Sequence, residues 1–352
     1  MIKQIITTIF IFINLLAVAQ KDTIKPFTFQ GYGELYYSYD FSNPQNHEKP
    51  NFIYSHKRHN EFNVNLAFAK ASYNKNNLRV NATLMLGNYA QYNLSAEPNW
   101  AKFLYEANIG FKISKNQNIW LDAGIMPSHI GFESAISADC WTLTRSILAE
   151  NSPYYETGAK VSYTSQSKKF NASVLVLNGW QKIKKTDYIQ KPSFGLQLNY
   201  KPNSKLTLNY SNFVGTDKPD SIHSWRLFHN IYAIYEPSKK FGIIAGFDIA
   251  TDKFNAIDYG VWYSPVFILR FKPKEKYNIA VRGEYYNDKK QIIITTNTPN
   301  GFQTFGLSSN FDIQIKDNLV WRIEGKEYFS KDNVFKENKT SFTITMSLAI
   351  KI

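Results

Sequence analysis

The stretch Phe342-Thr343-Ile344-Thr345-Met346-Ser347-Leu348-Ala349-Ile350-Lys351-Ile352 decides the class of this chain. Its apolar residues, Phe342, Ile344, Met346, Leu348, Ile350 and Ile352, share one parity. Thr343, Thr345, Ser347, Ala349 and Lys351 share the other. Successive strand side chains point to opposite faces, so this is a strand with one oily and one polar side. A helix would scatter the same six apolar residues around its axis.

Working back from that end, the alternation recurs. Leu319, Trp321 and Ile323 oppose Arg322, Glu324 and Lys326. Tyr277, Ile279 and Val281 oppose Asn278, Arg282 and Glu284. Phe194, Leu196, Leu198 and Tyr200 oppose Gly195, Gln197 and Asn199. Val80, Ala82, Leu84 and Leu86 oppose Arg79, Asn81 and Thr83. Sixteen segments read as strands: 27–41, 60–73, 78–91, 103–113, 119–127, 154–164, 170–180, 192–201, 205–215, 224–236, 241–252, 258–272, 277–287, 302–315, 319–329 and 340–352. Short connections at 74–77, 114–118, 165–169, 202–204, 237–240, 273–276 and 316–318 alternate with longer ones. Odd and even connections of an up-and-down barrel lie at opposite rims. The predicted fold is therefore all-β, a closed antiparallel transmembrane barrel of about 16 strands, with short turns and both termini on the periplasmic side.

Composition fits this reading. There are 26 Phe, 23 Tyr and 7 Trp, yet the mean hydropathy is -0.36, as a barrel with an apolar outside and a polar inside requires. The one long apolar run, Ile5 to Ala19, follows Lys3 and ends in Ala17-Val18-Ala19. Residues 1–19 read as a removable signal peptide and 20–352 as the barrel, located in the cell outer membrane of a Gram-negative organism. The single cysteine, Cys140, cannot form an internal disulfide.

Parity also names the inner face. Its acidic residues are Glu34, Glu106, Asp122, Glu156, Asp248, Glu284 and Glu324; its basic ones are Arg79, Lys160, Arg226, Arg270, Arg282, Arg322 and Lys326. Seven oppose seven, which predicts a hydrated, charge-balanced interior whose groups either pair across strands or line a pathway. Of the formal +13, Lys75, Lys115, Lys168, Lys169, Lys239, Lys240, Lys274, Lys276 and Lys316 lie in the short turns, against Glu275 and Asp317. Such a rim can meet anionic headgroups or be simply solvated. Charge spread over seven hairpins is a poor nucleic-acid footprint, so no nucleic-acid partner is expected.

The longest connection, 128–153, carries Trp141, Leu143, Ile147 and Leu148, an apolar set unsuited to exposure. It is expected to form one or two helical turns capped by Ser137 or Asp139. It would fold inward and constrict the pore with Glu133, Asp139, Arg145 and Glu150; the alternative is a loop packed across the mouth.

The block Gly124-Ile125-Met126-Pro127-Ser128-His129-Ile130-Gly131-Phe132-Glu133 continues in Trp141-Thr142-Leu143-Thr144-Arg145-Ser146 and Glu150-Asn151-Ser152-Pro153-Tyr154-Tyr155-Glu156-Thr157-Gly158. It resembles the outer-membrane β-barrel porin family described as OmpL-like, of the beta-barrel porin-2 type. Gly31-Tyr32-Gly33-Glu34-Leu35-Tyr36-Tyr37 is similar to that family's first strand. The resemblance implies a barrel and porin-type transport, and supplies no substrate.

The expected function is passive diffusion of small hydrophilic solutes or ions, with outer-membrane lipid as the surrounding partner. The alternative is a barrel whose long loops bind a surface partner or ligand with little conductance. A homo-oligomer is compatible with either, although no interface patch is legible. Enzyme activity is not expected: Ser128 and His129 are strand neighbours facing opposite ways, and neither G-x-S-x-G nor H-E-x-x-H occurs. His47, His56 and His59 share one loop, with spacing that matches no metal site, and read as solvated. No cofactor is expected.

Overall fold

The computed structural model describes residues 25–255 and 257–352; the expected signal peptide lies outside them. Sixteen strands follow in chain order: β1 (Phe27–Asp40), β2 (Phe62–Lys75), β3 (Leu78–Leu86), β4 (Leu104–Lys112), β5 (Asn118–Pro127), β6 (Tyr155–Thr164), β7 (Phe170–Leu177), β8 (Ser193–Asn203), β9 (Leu206–Gly215), β10 (Arg226–Ser238), β11 (Phe241–Lys253), β12 (Tyr259–Phe271), β13 (Tyr277–Asp288), β14 (Phe302–Lys316), β15 (Leu319–Ser330) and β16 (Thr340–Lys351). Each pairs antiparallel with its chain neighbours, and β1 pairs with β16 from Tyr32↔Lys351 to Asp40↔Thr343, closing the barrel. Closure leaves no free sheet edge, the condition for a sheet to stand in a hydrocarbon layer. No helix among the described residues is long and apolar enough to cross a membrane.

The predicted parity is the observed one. On β3, Leu84 is 62% exposed and its neighbour Thr83 1%. On β16, Phe342 and Leu348 are exposed while Ser341, Thr343, Thr345 and Ser347 are buried. Large apolar side chains thus face outward and polar ones inward, the reverse of a water-soluble domain.

Three expectations need correction. The third strand ends at Leu86 and not at 91, because Asn88–Asn93 form a short helix, α1. Gly87 permits that turn with φ 113; a Cβ there would stand 2.7 Å from the Asn65 carbonyl oxygen. The alternation of connection lengths is also less strict, since 254–258 is as short as 113–117. In the long connection, Ser137–Asp139 are a 3-10 turn. The single helical turn is Ile147–Glu150 (α2), and Ser146, neither Ser137 nor Asp139, caps it by accepting from the Ala149 amide.

Candidate functional site

The densest polar network lies on the inner face of β13, β14 and β15. Strand periodicity places Arg282 and Glu284 side by side on β13, with Glu324 and Lys326 on β15. The Arg282 guanidinium is fully buried. It donates to Glu324 Oε1 at 2.9 Å, Glu133 Oε1 at 3.3 Å, Thr142 Oγ1 at 2.7 Å and the Thr144 carbonyl at 2.7 Å. Glu284 accepts the Ile147 amide and pairs with Lys326 at 2.8 Å. Lys326 also donates to the Arg145 carbonyl at 2.9 Å. Glu324 takes the Thr144 amide, and Asn310 takes the Leu143 amide at 3.0 Å. Arg322 forks onto Asp312 at 2.8 and 3.0 Å and donates to the carbonyls of Ser137 and Cys140. Inner-face side chains therefore supply partners for the irregular backbone of 128–153, which has no ladder of its own.

The same segment is held elsewhere around the barrel. On β1, Glu34 accepts from Ser137 Oγ. On β6, Glu156 takes His129 Nδ1 at 2.7 Å and Ser128 Oγ at 3.2 Å. Gln197 and Ser211 donate to the His129 carbonyl at 2.8 and 2.7 Å. Asp248 takes Ser152 Oγ at 3.1 Å, and Asn230 takes the Gly131 amide at 3.2 Å. Three glycines on this face leave space for rings: an added Cβ would approach His129 to 2.7 Å at Gly195, Trp141 to 2.6 Å at Gly242 and Phe132 to 2.3 Å at Gly246.

The four residues expected at a constriction are placed differently from one another. Glu133 accepts the Ser146 amide at 3.1 Å and faces Arg282. Arg145, 1% exposed, donates to the carbonyls of Ser134, Ala135 and Leu143 and so folds the segment onto itself. Glu150, 5% exposed, accepts the amides of Tyr54 and Ser55 at 2.9 and 3.1 Å, joining 128–153 to the first long connection. Asp139 pairs with Lys351.

Among the remaining inner-face charges, Arg79 pairs with Asp122 over the Trp120 ring, and Glu106 with Lys70 at 2.6 Å. Arg226 binds Asp252 and Asp217 between Trp180 and Trp262. Arg270 pairs with Glu236 and lies over Trp141 at 3.9 Å. Lys160 stands opposite Asp122 in the β5–β6 register. The count of seven against seven is incomplete. Asp40, Asp252, Asp288 and Asp312 share the buried face, three of them at or near strand ends where they receive backbone amides or loop side chains. Most of these charges are buried, and several of them bond to residues of 42–59 and 128–153.

Two histidines expected to be solvated are buried: His56 donates to Glu34 at 3.1 Å, and His59 Nδ1 accepts the Asp40 amide at 2.9 Å. Burial holds the His56 ring below its ordinary 6.5 against the pull of Glu34, and its Nδ1 has no partner. His129 is the opposite case. Burial again disfavours charge, but Glu156 on one nitrogen and the Asn212 carbonyl, 2.7 Å from the other, outweigh it and raise the pKa. A carbonyl only accepts, so both ring nitrogens donate and the ring is an imidazolium. Ser128 and His129 thus meet on Glu156 and not on each other. Among the described residues no group of three or more His, Cys, Asp or Glu is arranged to hold a metal ion.

Cavities lie at both rims. One of about 670 Å³ is walled by the long connections, with Lys49, Tyr54, Asn151, Thr296 and Lys336 in its lining. A second, about 200 Å³, opens at the short-turn rim and is walled by Asp139, Cys140 and Trp141. A small cavity of about 10 Å³ touches Lys49, Thr144, Arg145, Glu150 and Lys326.

Solved structures share this architecture. The anion-selective porin from Comamonas acidovorans is similar at a TM-score of 0.62 and 9% identity, over 93% of this chain and 99% of that one. The outer membrane channel DcaP of Acinetobacter baumannii gives 0.60 and 8%, over 95% and 100%. Salmonella typhi OmpF, in complex with daunomycin, gives 0.58 and 8%, over 93% and 97%. No curated protein sequence matches. At such identities the likeness is one of fold, a closed porin-like β-barrel. The sequence itself matches a family model over residues 26–352, the whole barrel, and the chain therefore belongs to the outer-membrane family described as "Putative beta-barrel porin-2, OmpL-like".

Proposed function

We propose that this barrel passes small hydrophilic solutes or ions across the outer membrane by diffusion, with residues 128–153 setting the width of the route. One observation carries the reading. A segment bonded to inner-face side chains of β1, β6, β8 to β11 and β13 to β15 contributes to the cavity at each rim and to the small one touching Arg145 and Glu150. In this reading Arg145 and Glu150 hold the constriction in shape, while Glu133, Asp139 and the inner-face charges from Glu34 to Lys326 set the field along it. Short turns and both termini lie in the periplasm.

A second reading is favoured by the number of inner-face groups already bonded to the segment: a barrel closed by its own loop, whose long connections bind a ligand. Planar-bilayer recording separates the two. Diffusion gives stepwise ohmic conductance whose steps grow when 132–149 is deleted. A silent bilayer with folded protein supports the closed barrel.

A further inference from the structure

The inner face of the barrel is divided in two. Segment 128–153 leans on β13 to β15, and no hydrogen bond ties it to β2 or β3. On that looser side a cavity of about 220 Å³ is walled by Tyr105 of β4 together with Ile130, Phe132 and Glu133 of the segment. Exposure follows the division. Where the segment presses, the side chains of Arg282, Glu284, Glu324 and Lys326 are at most 4% exposed. Opposite them, Lys70 is 24% exposed and Arg79 32%. Ser72, Asn81, Lys160, Ser162 and Asn199, all on the inner parity, are half-buried. Water therefore reaches far more of the inner wall of β2 to β8 than of β13 to β15.

Charge follows the same division. Strands β2 to β9 with their short turns carry ten basic residues against three acidic ones, whereas β10 to β16, β1 and their short turns carry thirteen against twelve. The three acids are all engaged: Glu106 by Lys70, Asp122 by Arg79 and Glu156 by His129. Lys112 and Lys160 stand on the inner parity, opposite Trp120 and Asp122 in the strand register. Their side chains have no ion pair or hydrogen bond among the described residues. Glu133, the one acid in the wall of the 220 Å³ cavity, is turned to Arg282 and the Ser146 amide. The short turns of this half add Lys75, Lys115, Lys168, Lys169 and Lys205 and no acid. Cations without a counter-charge on a low-dielectric wall raise the local concentration of anions.

We propose that the passage is eccentric, running between residues 128–153 and the inner wall of β2 to β8, and that it admits small anions in preference to cations, with Lys112 and Lys160 as the selecting residues. The inference rests on the diffusion reading above and adds to it a route and a solute class. The equal numbers of acids and bases over the whole inner face conceal this preference, because most of the acids lie in the half that the segment buries.

The test is the reversal potential of the folded barrel in a planar bilayer under a tenfold KCl gradient, kept at or below about 0.1 M so that the screening length is not shorter than about 10 Å. A local potential of about one kT enriches monovalent anions over cations roughly sevenfold, so a chloride-to-potassium permeability ratio of several-fold is expected. The Lys112→Gln/Lys160→Gln variant alters two half-buried side chains without partners. It should keep the folded barrel's gel mobility and its conductance while the ratio falls toward one. Lys239→Gln/Lys240→Gln removes the same charge from a short turn of the balanced half and should leave the ratio nearly unchanged. A parent ratio at or below one overturns the anion preference. A ratio indifferent to the inner lysines, or moved equally by the turn lysines, overturns the route and the residues assigned to it. A silent bilayer with folded protein overturns the diffusion reading and this inference together, whereas conductance without anion preference overturns this inference alone.

Discussion

Replacing Arg282 with Met removes the cation at the centre of the inner network while roughly preserving its length. Arg282 is fully buried and faces Glu133, Glu284 and Glu324 at 3.3, 3.4 and 2.9 Å, besides Thr142 and the Thr144 carbonyl. Its loss leaves three carboxylates close together in a poorly hydrated space. Breaking a buried charge network from one side costs about 3–5 kcal/mol. The cost falls on the seating of 128–153 and not on the wall, because β13 keeps its ladder to β12 and β14. At about 1.4 kcal/mol per decade, the population with the segment displaced should rise by roughly two to three and a half orders of magnitude. The assay is single-channel recording of R282M beside limited proteolysis of the folded protein. Larger or noisier steps and new cleavage between 132 and 149 are expected, with the barrel's resistance to urea little changed. A variant identical to the parent in step size, noise and cleavage would refute the argument that this network holds the segment.

Other positions test neighbouring links. Gly246→Leu places carbon where the Phe132 ring stands, 2.3 Å from an added Cβ, and should unseat the same segment at a cost of about 1–3 kcal/mol, read as increased cleavage. The His129 pKa is raised in the fold, so the stability of its pairing with Glu156 is fully present below its unfolded value near 6.5 and is lost as pH rises through the folded pKa. His129→Gln should abolish that alkaline decline, followed by proteolysis across pH 5–9. Val281→Arg on the outward face should cost about 2–4 kcal/mol in urea titrations in lipid, and nothing comparable if that face met water. Arg79→Ala, which breaks a partly exposed wall pair, should cost about 1 kcal/mol or less in the same titration.

The strands were readable because their signal is local: two residues suffice to show a parity, and closure adds only register. Pairing was not readable. Glu324 shows its face in sequence, but its partners are Arg282, two strands away, and the Thr144 amide, which arrives through an irregular segment. His56 reads as solvated in sequence because its neighbours Ser55, Lys57 and Arg58 are polar; in the fold it bonds to Glu34 and Asn65, residues of two different strands. Asp288 lies one residue past the predicted strand 277–287, and it receives the amides of Ile292, Ile293 and Ile294 through a connection whose course no local pattern shows. A usable clue did exist at Gly195, Gly242 and Gly246, which fall on the polar parity where a barrel wall gains nothing from lacking a side chain; such positions mark where something else must come close.

The 3-10 turn at Ser137–Asp139 touches both sides of the closing seam: Ser137 meets Tyr32 and Glu34 on β1, and Asp139 meets Lys351 on β16. The middle of the polypeptide thus acts as a splint across the joint made by its two far ends. Zippering of β1 onto β16 and docking of this turn then become one cooperative event, and a chain that cannot dock the turn should accumulate as an unclosed ribbon during assembly.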